Sequence, residues 1–176
     1  VVLSHCHWDH CGALVIERDG KLVPRFPNAS VHAPSIEIAC CQDPDPVRAA
    51  SYRADDLGAL DEAGLLHGYT ETNEILPGIE AHVLVATPMG VSVILIGEGK
   101  DRAIFWADVV PTTHHIQPPY IMAYDLDVAR SYEVRKEWIE RSADEGWLGL
   151  FYHDPLVSMA RIEREGKRFS IATAGS

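Results

Sequence analysis

Basic residues are scarce in this chain. It has 15 Lys and Arg against 26 Asp and Glu, a net charge of −11 over 176 residues. Such a surface repels phosphate backbones and anionic headgroups, so neither nucleic acid nor a membrane surface is an expected partner. Long apolar runs are missing too: none approaches the roughly 20 residues needed to cross a bilayer. Cysteine is limited to Cys6, Cys11, Cys40 and Cys41, too few for a disulfide scaffold and not spaced as CxxC. A reducing compartment, read as the cytoplasm, is the expectation. No signal peptide is visible. Val1-Val2-Leu3-Ser4 reads as the inside of a strand, so we expect the natural chain to begin upstream of Val1. Repeats, low-complexity tracts and clear linkers are also lacking, and the size fits a single domain over residues 1–176. The remaining composition, 47% apolar and 23% charged, is ordinary for a globular protein.

The patterning predicts mixed α and β structure. Apolar, β-branched runs predict strands at residues 1–4, 30–32, 79–87, 91–96, 103–106 and 148–152, and a final pair at 157–164 and 168–173 about Gly166. Helices are predicted at 34–41, 47–52 and 55–63, the last stopped by Gly64. The clearest helix is 127–145, where Val128, Tyr132, Val134, Trp138 and Ile139 fall near helical spacing. Asp19-Gly20 predicts a hairpin turn. Residues 112–124 form a loop containing Pro and His.

The strongest chemical signal is Ser4-His5-Cys6-His7-Trp8-Asp9-His10, which places three His and one Asp within six residues after an apolar run. Imidazole and carboxylate suit divalent zinc, iron or manganese. At alternate positions of an extended segment, His5 and His7 project to one side. The turn that follows lets Asp9 and His10 face a second position nearby, a geometry that suits two metals. A solvated His-rich turn is the plainer reading, but it does not account for four metal-competent side chains in this order behind a buried strand.

This HxHxDH motif resembles that of the metallo-β-lactamase-fold hydrolase superfamily. Phe105-Trp106-Ala107-Asp108 is similar to the strand that ends there in a metal-bridging Asp. Phe151-Tyr152-His153-Asp154-Pro155 is similar to the later strand that ends in the last His ligand, 45 residues on. Taken singly, Asp108 reads as a turn former and His153 as structural; their joint order makes them candidate ligands. The resemblance implies an α/β fold, an αβ/βα sandwich here lacking its N-terminal strands. It further implies two divalent ions, zinc first, with iron or manganese as alternatives. His5 and His7 would hold the first ion, Asp9, His10 and His153 the second, and Asp108 would bridge them. Asp9 and Asp108 are the candidate catalytic residues.

The chain departs from that pattern in two places. The superfamily supplies another His to the first metal from a Thr-Pro-Gly-His-Thr-x-Gly loop. Here the stretch is Ala86-Thr87-Pro88-Met89-Gly90-Val91-Ser92, without the Gly-His-Thr centre. We expect the natural chain to carry three further residues between Pro88 and Met89, because a first metal with one ligand fewer binds more weakly. The alternative is a true loss, with His82, His114 or His115 as the replacement. The opening strands are likewise expected upstream, since without them a sheet edge and an apolar face stand exposed.

The loop with Pro118, Pro119, Tyr120, Ile121, Met122 and Tyr124 reads as a binding surface for a substrate with a hydrophobic part, or as a homodimer contact. Trp8, Tyr120 and Met122 are the candidate substrate-binding residues, with core packing the other reading for Trp8. His114 and His115 read as structural, and the cysteines as packing residues. Two metals sharing a water would generate a hydroxide nucleophile and polarise the scissile group. The expected function is therefore metal-dependent hydrolysis of a small ester or lactone, acyl-homoserine-lactone-like or a phosphotriester. In overall pattern and spacing the chain most resembles the lactonase and organophosphate-hydrolase-like branch of that superfamily. The alternatives are a mononuclear-iron sulfur dioxygenase, or a non-catalytic metal-binding module if the third His is truly absent.

Overall fold

In the computed structural model of the chain, residues 1–85 and 90–173 are described. The motif ends in a one-turn helix, α1 (Trp8–Cys11). Strands β1 (Val15–Arg18) and β2 (Lys21–Pro24) then pair about Asp19 and Gly20. Both turn residues have positive φ, 52° and 73°, the mirror-image turn that matches strand twist. β3 (Val31–Pro34) leads into α2 (Ser35–Gln42), and α3 (Ala54–Glu62) ends just before Gly64 at φ 69°. β4 (Leu66–Tyr69) returns to pair in parallel with β3. Val2 makes a single parallel bridge to His32, so the expected strand over residues 1–4 is one bridge beside β3.

The second half builds the main sheet from β5 (Thr72–Leu76), β6 (Ile79–Val85), β7 (Gly90–Ile96), β8 (Ala103–Phe105), β9 (Leu148–Leu150), β10 (Met159–Glu165) and β11 (Arg168–Thr173). Among the described residues these lie in chain order across the sheet. All neighbours are antiparallel except β8 and β9, which run parallel because α4 (Val128–Glu145) carries the chain between them. Asp127 caps α4 by accepting the Arg130 N–H at 3.0 Å, and Gly146 at φ 67° ends it.

β7 shows why its sequence is apolar apart from the buried Ser92. Val93 and Leu95 enter a core with Trp138 and Ile139 of α4, while Ile94 packs on the other face with Tyr69 and Ala81. A strand covered on both faces has no polar side to show. β10, by contrast, alternates buried Ala160 and Ile162 with exposed neighbours. The layers are therefore α4, the main sheet, the β3–β4 pair, and then α2 and α3, whose Cys41, Leu57 and Leu60 pack on Val31 and Ala33.

Two strands were not expected. β4, Leu66-His67-Gly68-Tyr69, is too short to show alternation, and β5 is a mostly exposed edge strand. The helix expected over 47–52 is only a 3-10 turn at Ala49–Ser51. There the Asp45 carboxylate accepts the Val47 and Arg48 N–H groups at 2.9 and 3.2 Å, and so competes with helical bonding. The expected gap between Pro88 and Met89 lies outside the described residues. Among the described residues no helix is long and apolar enough to cross a membrane.

Candidate metal centre

The backbone leading into the motif is tied to three strands. The Leu3 N–H donates to His32 O (2.8 Å), the Ser92 N–H donates to Ser4 O (2.8 Å), and the Tyr69 hydroxyl donates to Leu3 O (2.7 Å). The His7 carbonyl then accepts the N–H groups of His10 and Cys11 at 3.0 and 3.1 Å. This turn folds His10 back so that its ring centroid is 4.0 Å from that of His5; His7 lies 4.5 Å from His5.

Asp108 and His153 follow the ends of β8 and β9. Because these strands are adjacent and parallel, residues 45 apart in sequence meet, with His153 Nε2 3.1 Å from Asp108 Oδ1. Ala107, fully buried at φ 46°, turns the chain at the end of β8. A non-glycine residue there stores strain of about 1 kcal/mol, and it aims Asp108 inward.

Two overlapping triads result, His5–His10–Asp108 and Asp9–His10–His153, each with ligating atoms within 4.8 Å of one another. His10 Nε2 is 3.2 Å from Asp108 Oδ1 and 3.4 Å from Asp9 Oδ2, and His5 Nε2 is 3.6 Å from Asp108 Oδ2. His153 Nε2 faces His10 Nε2 at 3.3 Å. His7 is in neither triad among the described residues, but it lines the same cleft. Burial holds the pKa values of His5 and His7 below the ordinary range, which keeps both imidazoles in the neutral form that a metal ligand needs. Burial works to raise Asp108, but the His10 hydrogen bond and the imidazoles around it outweigh it and hold the carboxyl at about 2. Among the described residues, the buried Nε2 atoms of His5 and His7 have no hydrogen-bond partner. Orphaned nitrogens of this kind are costly unless an electrophile meets them. A donor set of imidazole and carboxylate facing one cleft fits zinc, iron or manganese.

The cleft, of about 440 Å³, is walled by Trp8, Pro111, Met122 and Tyr124 beside the ligand candidates. Trp8 is 47% exposed with the Arg53 guanidinium 5.1 Å from its ring centroid, so it faces solvent and does not pack in the core. Tyr120 does not line this cleft: it lines a separate groove with Tyr132 and Phe169. The cause is Arg135, which holds the Gln117 and Pro118 carbonyls, while the Gln117 side chain bonds both backbone groups of Phe169. These bonds fix Tyr120 over β11. His82 is bonded to Thr72 and Glu80 and lies edge-on to Trp138, on the α4 side of the sheet, so it does not replace a ligand. His114 is exposed, whereas His115 lines the cleft with its Nδ1 2.7 Å from Thr112 Oγ1. Burial pushes the Cys6 thiol up, and that of Cys11 up to about 12, so both are packing groups and not nucleophiles.

Sequence reasoning passed over several supports. Asp154 accepts the Thr113 N–H (2.9 Å) and hydroxyl (2.6 Å), and the Leu156 and Val157 N–H groups, so it ties the loop after Asp108 to the loop after His153. Arg135 donates to the carbonyls of Val109, His115, Gln117 and Pro118. Its signal was available: a cation within the apolar stripe of α4 is a buried charge that needs partners.

No family model matches the chain, and no curated relative does. Solved structures do match. A Staphylococcus aureus protein described as a probable metal-dependent hydrolase superposes with a TM-score of 0.85 at 23% identity, over 100% of this chain and 62% of its own. The dizinc quorum-quenching lactonase AidC, solved with a product, gives 0.78 at 21% identity over 99% and 64%. The hydrolase AbOPH, of the β-lactamase superfamily, gives 0.74 at 19% identity over 99% and 64%. The chain has the metallo-β-lactamase fold. It spans less than two thirds of the length of each of these three proteins.

Proposed function

We propose that this chain carries the active centre of a metal-dependent hydrolase acting on a small lactone or ester with a hydrophobic part. The observation that carries the reading is the pair of triads sharing His10, set at the foot of a cleft with an apolar wall. When bound, divalent ions in such a site lower the pKa of water and polarise a scissile carbonyl. His5, His7 and Asp108 would hold the first ion, and Asp9, His10 and His153 the second, with Asp108 between them. Asp9, whose side chain is 38% exposed, stands at the solvent side of the cluster, where it can receive or return a proton during turnover. Tyr124 lines the cleft, and its phenol, protonated at neutral pH, is a hydrogen-bond donor for a substrate carbonyl.

A side chamber of about 180 Å³ adjoins the cleft through His7, Ser51 and Tyr124. Val47, Ala123 and Leu126 line it, an apolar bed for an alkyl substituent. AidC is a lactonase, and a Bacillus thuringiensis AiiA variant is solved with N-decanoyl-L-homoserine at its active site; that structure matches 88% of this chain with a TM-score of 0.63. Both support an N-acyl homoserine lactone as the first substrate to try.

The test is to reconstitute the protein separately with zinc, manganese and iron, then measure metal content and proton release on acyl homoserine lactones of rising chain length. A phosphotriester and a simple aryl ester serve as comparators. We expect lactone or ester turnover that depends on added metal. A metal-loaded protein that turns over none of these overturns the hydrolase reading, and oxygen uptake with a persulfide would replace it by the iron dioxygenase.

A further inference from the structure

We infer that Glu37 is a positioning residue for the metal centre, clasping the backbone around His7 and supplying buried negative charge to a cation held there. This rests on the metal-centre reading above. Glu37 lies in the first turn of α2 and is 0% exposed. Its Oε2 accepts the Cys6 N–H at 3.2 Å and the Tyr52 hydroxyl at 3.1 Å, and its Oε1 accepts the Gly90 N–H at 3.0 Å. Cys6 is the residue between His5 and His7. Gly90 opens β7, whose Ser92 N–H anchors the Ser4 carbonyl. One carboxylate therefore joins the peptide that spaces two ligand candidates to the strand that anchors the motif.

The chemistry of the clasp is lopsided. All three donors are neutral, and among the described residues no Lys or Arg forms an ion pair with Glu37. A carboxylate removed from water without a counter-ion costs several kcal/mol, which an apolar residue of similar size would avoid. The charge has one evident recipient. The His7 ring stands edge-on to Tyr52 at 5.0 Å, the residue whose hydroxyl donates to Glu37, and among the described residues the buried His7 Nε2 has no hydrogen-bond partner. A divalent ion on His7 would meet that charge through the imidazole.

Supports of this kind change metal affinity by roughly 10–100-fold. The experiment is a zinc competition titration with a chromophoric chelator on the whole chain, with no substrate present. It compares wild type, Glu37→Gln, Glu37→Asp and Tyr52→Phe, each checked for fold by circular dichroism. Glu37→Gln removes the charge and turns an amide N–H₂ toward at least one of the three donors. We expect its zinc Kd to rise at least 10-fold. Tyr52→Phe, which keeps the charge and two backbone donors, should stay within about 3-fold of wild type. If Glu37→Gln does not fold, Glu37→Asp decides, because it keeps the charge but shortens the reach; a 10-fold weaker Kd is then expected. Wild-type affinity and stoichiometry in the folded Glu37 variants would overturn the assignment. Because zinc alone is read, a chain that binds it through Glu37 yet hydrolyses nothing refutes only the hydrolase reading.

Discussion

Replacing Arg135 with methionine tests how the loop behind Asp108 is held. Arg135 is 2% exposed, and its guanidinium serves four carbonyls, those of Val109, His115, Gln117 (3.4 Å) and Pro118 (3.3 Å). Burial lowers its pKa to about 10 against the pull of Asp125 and Tyr124, so the group is charged at neutral pH. Methionine keeps the aliphatic stem and leaves the carbonyls without a donor. A buried polar group without its partner costs about 1–3 kcal/mol. Two of the four contacts are long, and removing a buried cation recovers part of its desolvation cost. A net loss of about 3–4 kcal/mol follows. At roughly 2–4 °C per kcal/mol for a chain of this length, Tm should fall by about 6–16 °C. Urea unfolding with an unchanged m-value is the assay. Arg135→Lys should lie between, since one ammonium reaches fewer carbonyls than a forked guanidinium. A loss under about 1 kcal/mol in the methionine variant would refute the reasoning and show that water replaces the guanidinium.

Asp108→Ala should lower bound zinc and cut hydrolysis by more than about 100-fold, beyond what supporting residues cost; metal analysis beside initial rates checks it, and wild-type turnover defeats the mechanism. Trp8→Ala should change the preference along a chain-length series of lactones while leaving zinc content unaltered, as read from kcat/KM across the series. For Asp154, burial acts to raise the pKa, but bonds from Thr113, Val157 and Leu156 hold it below the ordinary carboxylate range. Its contribution to stability is therefore complete above about pH 4 and is lost as pH falls through the depressed value. Asp154→Asn should lower Tm at pH 7 and flatten its fall between pH 4 and 2, and two parallel Tm curves would contradict this.

The motif was legible because its four side chains fall within six residues and their order carries the geometry. Asp108 and His153 were legible only as a pair, since neither is informative until a parallel pairing brings two strand ends together. Glu37, Arg135 and Asp154 were not legible as supports. Each draws its role from burial and from partners on other elements, and a carboxylate at the start of a helix reads simply as a favourable end charge. Tyr120 and Met122 illustrate the limit within one loop. Both are apolar residues on the segment after Asp108, two positions apart. The bonds of Gln117 to Phe169 send one toward β11, and only the other reaches the cleft. β4 escaped notice for the related reason that its four residues owe their conformation to β3 alongside.

The parallel placement of β8 and β9 also bears on where this chain tolerates changes of length. Asp108 stands three residues past Phe105 and His153 three past Leu150, so the two side chains reach the same height above the sheet by equal steps. Adding one residue to either step breaks this match, because Asp108 and His153 are aimed by the turns that follow the two strands. The return path has no such constraint. It leaves the far end of α4 at Gly146, beside the strand starts, and its length does not enter the distance between the two strand ends. An epitope or a fluorescent reporter spliced at Gly146 would therefore sit at the opposite pole of the sheet from the metal ligands. The same peptide placed a few residues after either strand would separate them.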